Sequence, residues 1–364
     1  MKFIILSYDY PPNNGGISRL CGEIRKELLR RGSSVDVITC VAGDAEQGIK
    51  RISAHRGILE FKMMANLRRC YQKGDIVITD TWHPAGMLSI LCGYPTFILA
   101  HGAEFLPSHG LANTWLWNSY RRRILAKATG VVANSHYTAN LVKNCSPQAN
   151  CIAIPLAIDA VYFHPTAAKN NEDNILRICS LSRLHRFKGH DFIIRTIASL
   201  PDDYRRRLRF EIGGKGSYKP ALESLTAELG LNDGTVEFLG FMPDSEVLNF
   251  YSRNDLFILC TREEHTAGNV EGFGLVFTEA QACGTAAIGT RTGGIPDAIS
   301  DGEGGWLIEQ DNEEQLRKLL MYAIDNKSLI QQQGHIARQR VLRDCNWQNY
   351  CTNLLDFINK TIKR

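Results

Sequence analysis

The feature that most restricts this chain is a rhythm. Short β-branched runs, "FIILSY", "SVDVITC", "GDIVITD", "PTFILAHG" and "ATGVVANS", recur with helical or loop segments between them. The rhythm breaks at "CIAIPLAIDAVYFHP" and the polar stretch "TAAKNNEDN". It then restarts as "LRICSLSRL", "RFEIGG", "VEFLGF", "LFILC", "TAAIGT" and "GGWLIE". Strands that alternate with helices pair in parallel, and a parallel sheet needs helices on both faces. A chain of 364 residues is also long for a single core. The expectation is therefore α/β: two doubly wound, Rossmann-like domains over residues 1–165 and 166–344. An amphipathic last segment, 345–364, is expected to cross back to the first domain. In open α/β sheets ligands bind beyond the carboxyl ends of the strands, so the expected site is a cleft between the domains.

Composition excludes several classes. Hydrophobic residues make up 44% of the chain, enough for two cores, and no low-complexity tract or block of like charge is present. The 11 cysteines are an odd, scattered set without a CxxC pair, which points to a reducing compartment rather than a disulfide framework. No HExxH or Cys/His cluster appears among the 10 histidines, so no metal site is expected. "MKFIILSYDYPP" is too short in its apolar run for a signal peptide. The longest uncharged stretch contains Pro84 and Pro95, which speaks against a membrane span. Residues 1–159 hold 18 Lys and Arg against 11 Asp and Glu, and the remainder 24 against 27. The basic excess suggests that the first half meets something anionic, such as a membrane surface or a phosphate-bearing acceptor. Arg121, Arg122, Arg123 and Lys127 are its densest cluster, and a solvated helix face is the plainer reading. No nucleic-acid module is recognisable.

Candidate chemistry collects where the strands end. Gly15 and Gly16 follow the first strand and precede a helix, so backbone amides could approach an anion there; an ordinary tight turn explains them equally well. They do not form a GxGxxG fingerprint, which disfavours a nicotinamide dinucleotide. His101 ends "PTFILA" and either faces the cleft or is a satisfied structural histidine, and Glu104 close by either binds hydroxyls or caps a helix; Arg19 is a further candidate on this acceptor side. "SRLHRFKGHD" places Arg183, Arg186 and Lys188 in one loop, and two cations there suit a diphosphate. "GGKGS", containing Gly214, makes another anion-tolerant turn. In "EGFGLVFTEAQACG", Gly272, Phe273 and Gly274 lead into a helix from Leu275 to Cys283, with Gly284 as its stop. Amides from Gly274 through Leu275 to Val276 would face an anion. Glu271 would then meet a neutral polyol and Glu279 two vicinal hydroxyls; two glutamates in chance salt bridges is the alternative.

The order and spacing of these segments resemble the retaining GT-B glycosyltransferases of glycosyltransferase family 4. The resemblance runs through "SYDYPPNNGGISR", "HGAEF", "VVANS", "SLSRL…KGHD", "IGGKG", "VEFLGF", "YSRNDLFILC", the E-x7-E segment and "IGTRTGGIPDAISDGEGGWLI". It implies a GT-B fold. It gives Glu271 the hydroxyls of the donor sugar, Glu279 the ribose, Arg183 and Lys188 the diphosphate, and His101 a place beside the transferred sugar. Gly16 would lie against the phosphate, and the base would be read by backbone near Phe241 and Met242. Two departures stand out. Leu156 and Ala157 replace the common asparagine and glycine, and "TREEHTAGNVEGFG" lengthens the approach to the motif.

The resemblance implies retaining, metal-independent hexosyl transfer from a nucleotide sugar to a hydroxyl of a glycan or lipid-linked glycan, in the synthesis of a surface polysaccharide or glycolipid. No cofactor is implied beyond the donor itself. A UDP-hexose is expected first and GDP-mannose next. The expected place is the cytoplasm, with access to the inner face of the plasma membrane. A GT-B sugar phosphorylase, a nucleotide-sugar epimerase and a degenerate binding protein are the rivals; intact Arg183, Lys188, Glu271 and Glu279 speak against the last.

Overall fold

The computed structural model describes residues 2–55, 57–106, 115–166, 169, 173–264 and 268–363. The chain divides into two compact units. The first takes Met1–Leu156 and returns for Trp347–Arg364; the second takes Ala157–His265 and Asn269–Asn346.

The first unit is a seven-stranded parallel sheet in the order β3-β2-β1-β4-β5-β6-β7. Its strands are β1 (Phe3–Ser7), β2 (Val35–Thr39), β3 (Ile49–Arg51), β4 (Ile76–Thr79), β5 (Thr96–Ala100), β6 (Gly130–Ala133) and β7 (Cys151–Ala153). Ile5 of β1 lies in register with Val37 on one side and Ile78 on the other. Alternate residues serve opposite faces: Ile4 and Leu6 join Ile38 and Val77 against Leu59, Met63 and Leu67 of the helix Ile58–Cys70. Ile98, Ala100, Val131 and Ala133 meet Ile124 and Leu125 of the helix Trp115–Lys127. β3 was not read from the sequence: it is a three-residue edge strand with a half-buried, alternating face.

The helix Trp347–Ile362 belongs to this unit. It packs on the helix Gly16–Arg30, and Phe357 meets Phe97 edge-on at 5.8 Å. Arg31 ties it down by donating to Gln348 O at 2.6 Å and to the Thr352 hydroxyl at 3.0 Å.

The second unit is a six-stranded parallel sheet in the order β10-β9-β8-β11-β12-β13. The strands are β8 (Leu176–Leu181), β9 (Leu208–Gly213), β10 (Val236–Gly240), β11 (Leu256–Leu259), β12 (Ala286–Thr290) and β13 (Gly305–Ile308). Ile178, Phe210, Ile212, Ile258 and Ile288 form its core with Ile193 and Ile197 of the helix His190–Ala198 and with Leu316 and Leu320. The boundary expected at 165/166 falls earlier, at Leu156. The segment after it is held by the second unit: the Ile158 amide donates to Cys345 O at 2.9 Å, and the Thr166 amide to Ser252 Oγ at 3.1 Å.

In each sheet the strand order reverses once, between β1 and β4 and between β8 and β11, so each unit has a crevice at that switch point. In the second unit, glycines bring the loops after β8 and β9 into backbone contact. A Cβ on Gly214 would lie 1.9 Å from Ser182 O, and one on Gly216 would lie 2.1 Å from Leu184 O. The Leu184 amide donates to Lys215 O at 2.9 Å across the same seam. No helix among the described residues is long and apolar enough to cross a membrane. All 11 cysteines are free, and only Cys70 is exposed.

Two expectations follow. Gly214→Ala must force adjacent backbones away from each other, so it should cost about 3 kcal/mol or more and lower the melting temperature by several degrees; an unchanged melting curve would contradict the packed seam. His190, fully buried against the Ser180 hydroxyl at 3.1 Å, is held neutral by burial, its pKa lowered from 6.5 to about 3. The unfolded chain therefore binds a proton that the folded chain does not over that interval. His190 thus contributes stability that is complete above pH 6.5 and is lost as pH falls toward about 3. Urea unfolding at several pH values should show this slope flattened in His190→Gln.

Candidate functional site

The second unit's switch point carries a connected set of charges. β8 ends at Leu181, and the chain turns through Arg183 to a single 3-10 turn, Arg186–Lys188. Lys188 Nζ donates to Glu271 Oε2 at 2.6 Å, with side-chain exposures of only 12% and 19%. Lys188 also lies 4.9 Å over the Phe187 ring. The Arg183 side chain is exposed and forms no ion pair with any described residue. The loop thus offers one cation already engaged and two, Arg183 and Arg186, held toward solvent.

Glu271 is positioned through its backbone. Its carbonyl accepts the Gly294 amide at 2.8 Å. Cβ atoms on Gly293 and Gly294 would fall 2.4 Å from Glu271 O and 2.0 Å from Gly272 O. The "TGGIP" turn is therefore the bed on which the glutamate rests. Gly274, in the left-handed region at φ 94°, opens the helix Leu275–Ala282, one residue shorter than expected. Leu275 and Val276 are half-buried in its first turn, where amides lack intrahelical acceptors. Phe273 is buried and Phe277 fully so, the latter meeting Phe257 edge-on at 5.3 Å. Phe273 is thus an anchor of the helix rather than a lining residue, and burying such a ring contributes about 2 kcal/mol. Glu279 accepts the Tyr251 hydroxyl at 3.2 Å, and burial drives that phenol's pKa up, so Tyr251 stays a donor.

Gly214 serves differently from the expectation. Its amide donates to Gly240 O at 2.6 Å, so it has no proton to spare for an anion; its role is the backbone contact that sets the Arg183 loop. Met242 stands at the same strand end, its Cε 3.5 Å from where a Gly213 Cβ would be. Exposed Phe241 beside it carries Lys215 Nζ at 5.1 Å over its ring.

One residue the sequence reading missed is Arg262, just beyond β11. Its guanidinium holds Asp191 in two bonds at 2.8 and 3.1 Å and Asp311 at 2.7 Å. It also donates to Arg186 O at 3.2 Å, while its amide donates to Phe187 O at 2.6 Å. Arg262 therefore fixes the turn that presents Lys188. An arginine at the carboxyl end of the strand at the switch point was the available signal. In the lengthened approach, Glu264 and Asn269 pair in an isolated antiparallel bridge, and residues 265–267 lie outside the described residues.

In the first unit, Asp80 follows β4 and is fully buried. It accepts the Ser7 hydroxyl at 2.9 Å and the Tyr8 and Asp9 amides at 2.5 and 3.0 Å. Burial raises its pKa against these bonds. Its carbonyl accepts His101 Nε2 at 2.6 Å. That bond requires a proton on Nε2 and leaves Nδ1 as the acceptor in the neutral ring. Glu104 Oε1 accepts the His101 amide at 2.7 Å, so this carboxylate closes the 3-10 turn Ala103–Phe105, the capping alternative. Gly15 is the N-cap of the helix Gly16–Arg30 in extended conformation, and a Cβ there would lie 3.3 Å from Asp9 Oδ2. The helix start thus already has a carboxylate beside it. Arg19 is exposed one turn on. Of the three adjacent arginines, Arg121 is buried, donating to Glu104 O at 2.7 Å, whereas Arg122, Arg123 and Lys127 face solvent. Among the described residues, no three His, Cys, Asp or Glu side chains come together to hold a metal ion.

Residues 164–340 match the family model described as glycosyl transferases group 1, and residues 14–161 match glycosyltransferase family 4. The chain is similar to a D-inositol 3-phosphate glycosyltransferase of Corynebacterium jeikeium, 34% identical over 344 residues, covering 81% of this chain and 80% of the relative. It is also similar to a GDP-mannose-dependent alpha-(1-6)-phosphatidylinositol monomannoside mannosyltransferase of Mycobacterium tuberculosis, 25% identical over 387 residues and 98% of each chain. Among solved structures it resembles Anabaena Alr3699/HepE in complex with UDP and glucose, with a TM-score of 0.77, 17% identity, and coverage of 99% of this chain and 100% of the other. That likeness establishes the GT-B arrangement of two Rossmann-like units. With both halves of the chain matched by family models, the chain belongs to the group 1, family 4 glycosyltransferases.

Proposed function

We propose that this protein transfers a hexosyl group from a nucleotide sugar to a hydroxyl of a glycan or lipid-linked glycan, with retention of configuration and without a metal. The observation that carries the reading is the Lys188–Glu271 pair beside the start of the helix Leu275–Ala282. A cation, a ring of helix amides and a carboxylate side by side suit a diphosphate joined to a polyol. Arg183 and Lys188 serve the diphosphate, Glu271 the hydroxyls of the sugar and Glu279 those of the ribose. His101 serves the transferred sugar.

In the proposed step the bond from the anomeric carbon to the diphosphate oxygen breaks. The acceptor oxygen bonds to the same face of that carbon, and its proton passes to the departing diphosphate. The negative charge that develops is met by Arg183, Lys188 and the helix amides, which is electrostatic stabilisation supplied by the chain itself. The names of the relatives bear on the donor. Several name GDP-mannose, which supports testing it before a UDP-hexose and reverses the order expected from sequence. Their phosphatidylinositol-type acceptors support a lipid-linked acceptor reached at the inner membrane face, with exposed Arg122, Arg123 and Lys127 favouring an anionic surface.

The test begins with melting curves of the pure protein in GDP, UDP, ADP and inorganic phosphate, since a ligand of the folded state raises the midpoint. A shift with a nucleoside diphosphate that survives EDTA is the expected result. A shift with phosphate alone would replace the reading by a sugar phosphorylase, and donor turnover in both directions without acceptor by an epimerase. Glu271→Gln and Lys188→Ala should each lower turnover of the responsive donor by about 100-fold or more while the circular dichroism stays native. Turnover near wild type in either variant would overturn the assignment.

A further inference from the structure

Near the end of the helix Asp244–Arg253 stands Tyr251, with 0% of its surface exposed. Its ring lies 5.7 Å from Phe257, edge-on at 75°, and 6.0 Å from Phe250. Its backbone is fixed as well: the Thr285 hydroxyl donates to Tyr251 O at 2.7 Å, and Lys169 Nζ donates to that hydroxyl at 3.1 Å. Phenylalanine would fill such a pocket at least as well, since a buried hydroxyl is unfavourable unless it is bonded. The Tyr251 hydroxyl is bonded, to Glu279 Oε2 at 3.2 Å. A phenol so deeply buried keeps its proton, and an ionised carboxylate only accepts, so the direction of the bond is fixed.

Glu279 is placed to face two ways. It lies on the same face of the helix Leu275–Ala282 as Leu275 and Val276, one turn or about 5.4 Å beyond the first amides. It is half-buried, whereas Tyr251 is enclosed. An ionised carboxylate has about four acceptor positions, and the phenol takes one of them on Oε2. Two vicinal hydroxyls need both oxygens turned edge-on to them, whereas an untethered glutamate spreads over several rotamers. A bond from a fixed ring removes that freedom. Because the donor is neutral, it orients the carboxylate without cancelling its charge, and the strong bonds of an ionised acceptor to neutral hydroxyls are kept.

We propose that Tyr251 is a positioning residue: its hydroxyl holds Glu279 edge-on to the two vicinal hydroxyls of a ribose, and through that bond the protein selects a ribonucleotide over a 2′-deoxyribonucleotide. This rests on the nucleotide-sugar reading above, with Glu279 at the ribose. Tyr251 acts through the carboxylate and not on the ligand, so loss of its hydroxyl is felt by a ligand that presents both ribose hydroxyls and scarcely by one that lacks the 2′-hydroxyl.

The test is calorimetric titration of the full-length protein with GDP, 2′-deoxy-GDP, UDP and 2′-deoxy-UDP. The wild type should bind the ribo form of its preferred nucleotide about tenfold or more tighter than the deoxy form. Tyr251→Phe, which keeps the ring and drops the hydroxyl, should lose most of that factor for the ribo form and little for the deoxy form, so the ratio falls toward one. A tyrosine that merely supports the fold would weaken both forms together, and an undiminished ratio in Tyr251→Phe overturns the inference. If the melting curve shows that this variant does not fold, Glu279→Asp takes its place. It keeps a carboxylate but draws it one methylene back from the hydroxyl, and the same collapse of the ratio is expected, its persistence again overturning the inference. Equal affinity for ribo and deoxy forms in the wild type removes the role of Tyr251 while the nucleotide-sugar reading stands; silence from all four nucleotides removes both.

Discussion

Much of this molecule turns on the contact between one ammonium and one carboxylate. Lys188 and Glu271 arrive from opposite sides of the reversal between β8 and β11 and meet at 2.6 Å with most of their surface out of water. Such a pair returns its desolvation cost only when both partners are held in place. The surrounding structure meets that condition. Arg262 clamps the lysine turn to Asp191 and Asp311, and the glycines at 293 and 294 let the backbone close beneath Glu271. The Gly214 seam then fixes the loop that carries Arg183. Several apparently separate sequence signatures thus resolve into supports for one electrostatic contact.

The two units use the same topology for different chemistry. At its switch point the second gathers charges and helix amides, whereas the first gathers aromatic rings around a buried aspartate. The difference follows from what the strand-end loops contain, since the sheets themselves are both parallel and apolar.

Most of the fold was legible because buried parallel strands must be apolar runs, and "FIILSY" or "LFILC" can hardly be anything else at that length. β3 was not legible, because "IKR" is short and lies at an edge where side-chain chemistry is scarcely constrained. The unit boundary was misplaced because a polar run marks exposure, whereas the division depends on pairing such as Ile158 with Cys345, which no local pattern records. Glu271 and Lys188 stood out because charge in an apolar, glycine-rich context is rare. Gly214 and Glu104 were visible as residues but ambiguous in role. A glycine that donates to a ligand and one that admits a neighbouring backbone look alike in sequence, as do a carboxylate that binds and one that caps. The Trp82 cluster needed three-dimensional proximity, since Trp82 and Trp117 are far apart in the chain and 5.2 Å apart in space.

The return of the helix Trp347–Ile362 to the first unit changes what counts as a separable piece of this chain. The second unit is an insertion, entered near residue 157 and left near 346, and it could in principle be excised with a single cut at each end. The first unit has no such independence. A fragment stopping at Leu156 would lose the partner of Phe97 and leave the Arg31 guanidinium without the acceptors it reaches on that helix. During synthesis the same holds. The first sheet has to wait for the last helix before its surface is sealed, so completion of the N-terminal unit is timed by the C-terminus.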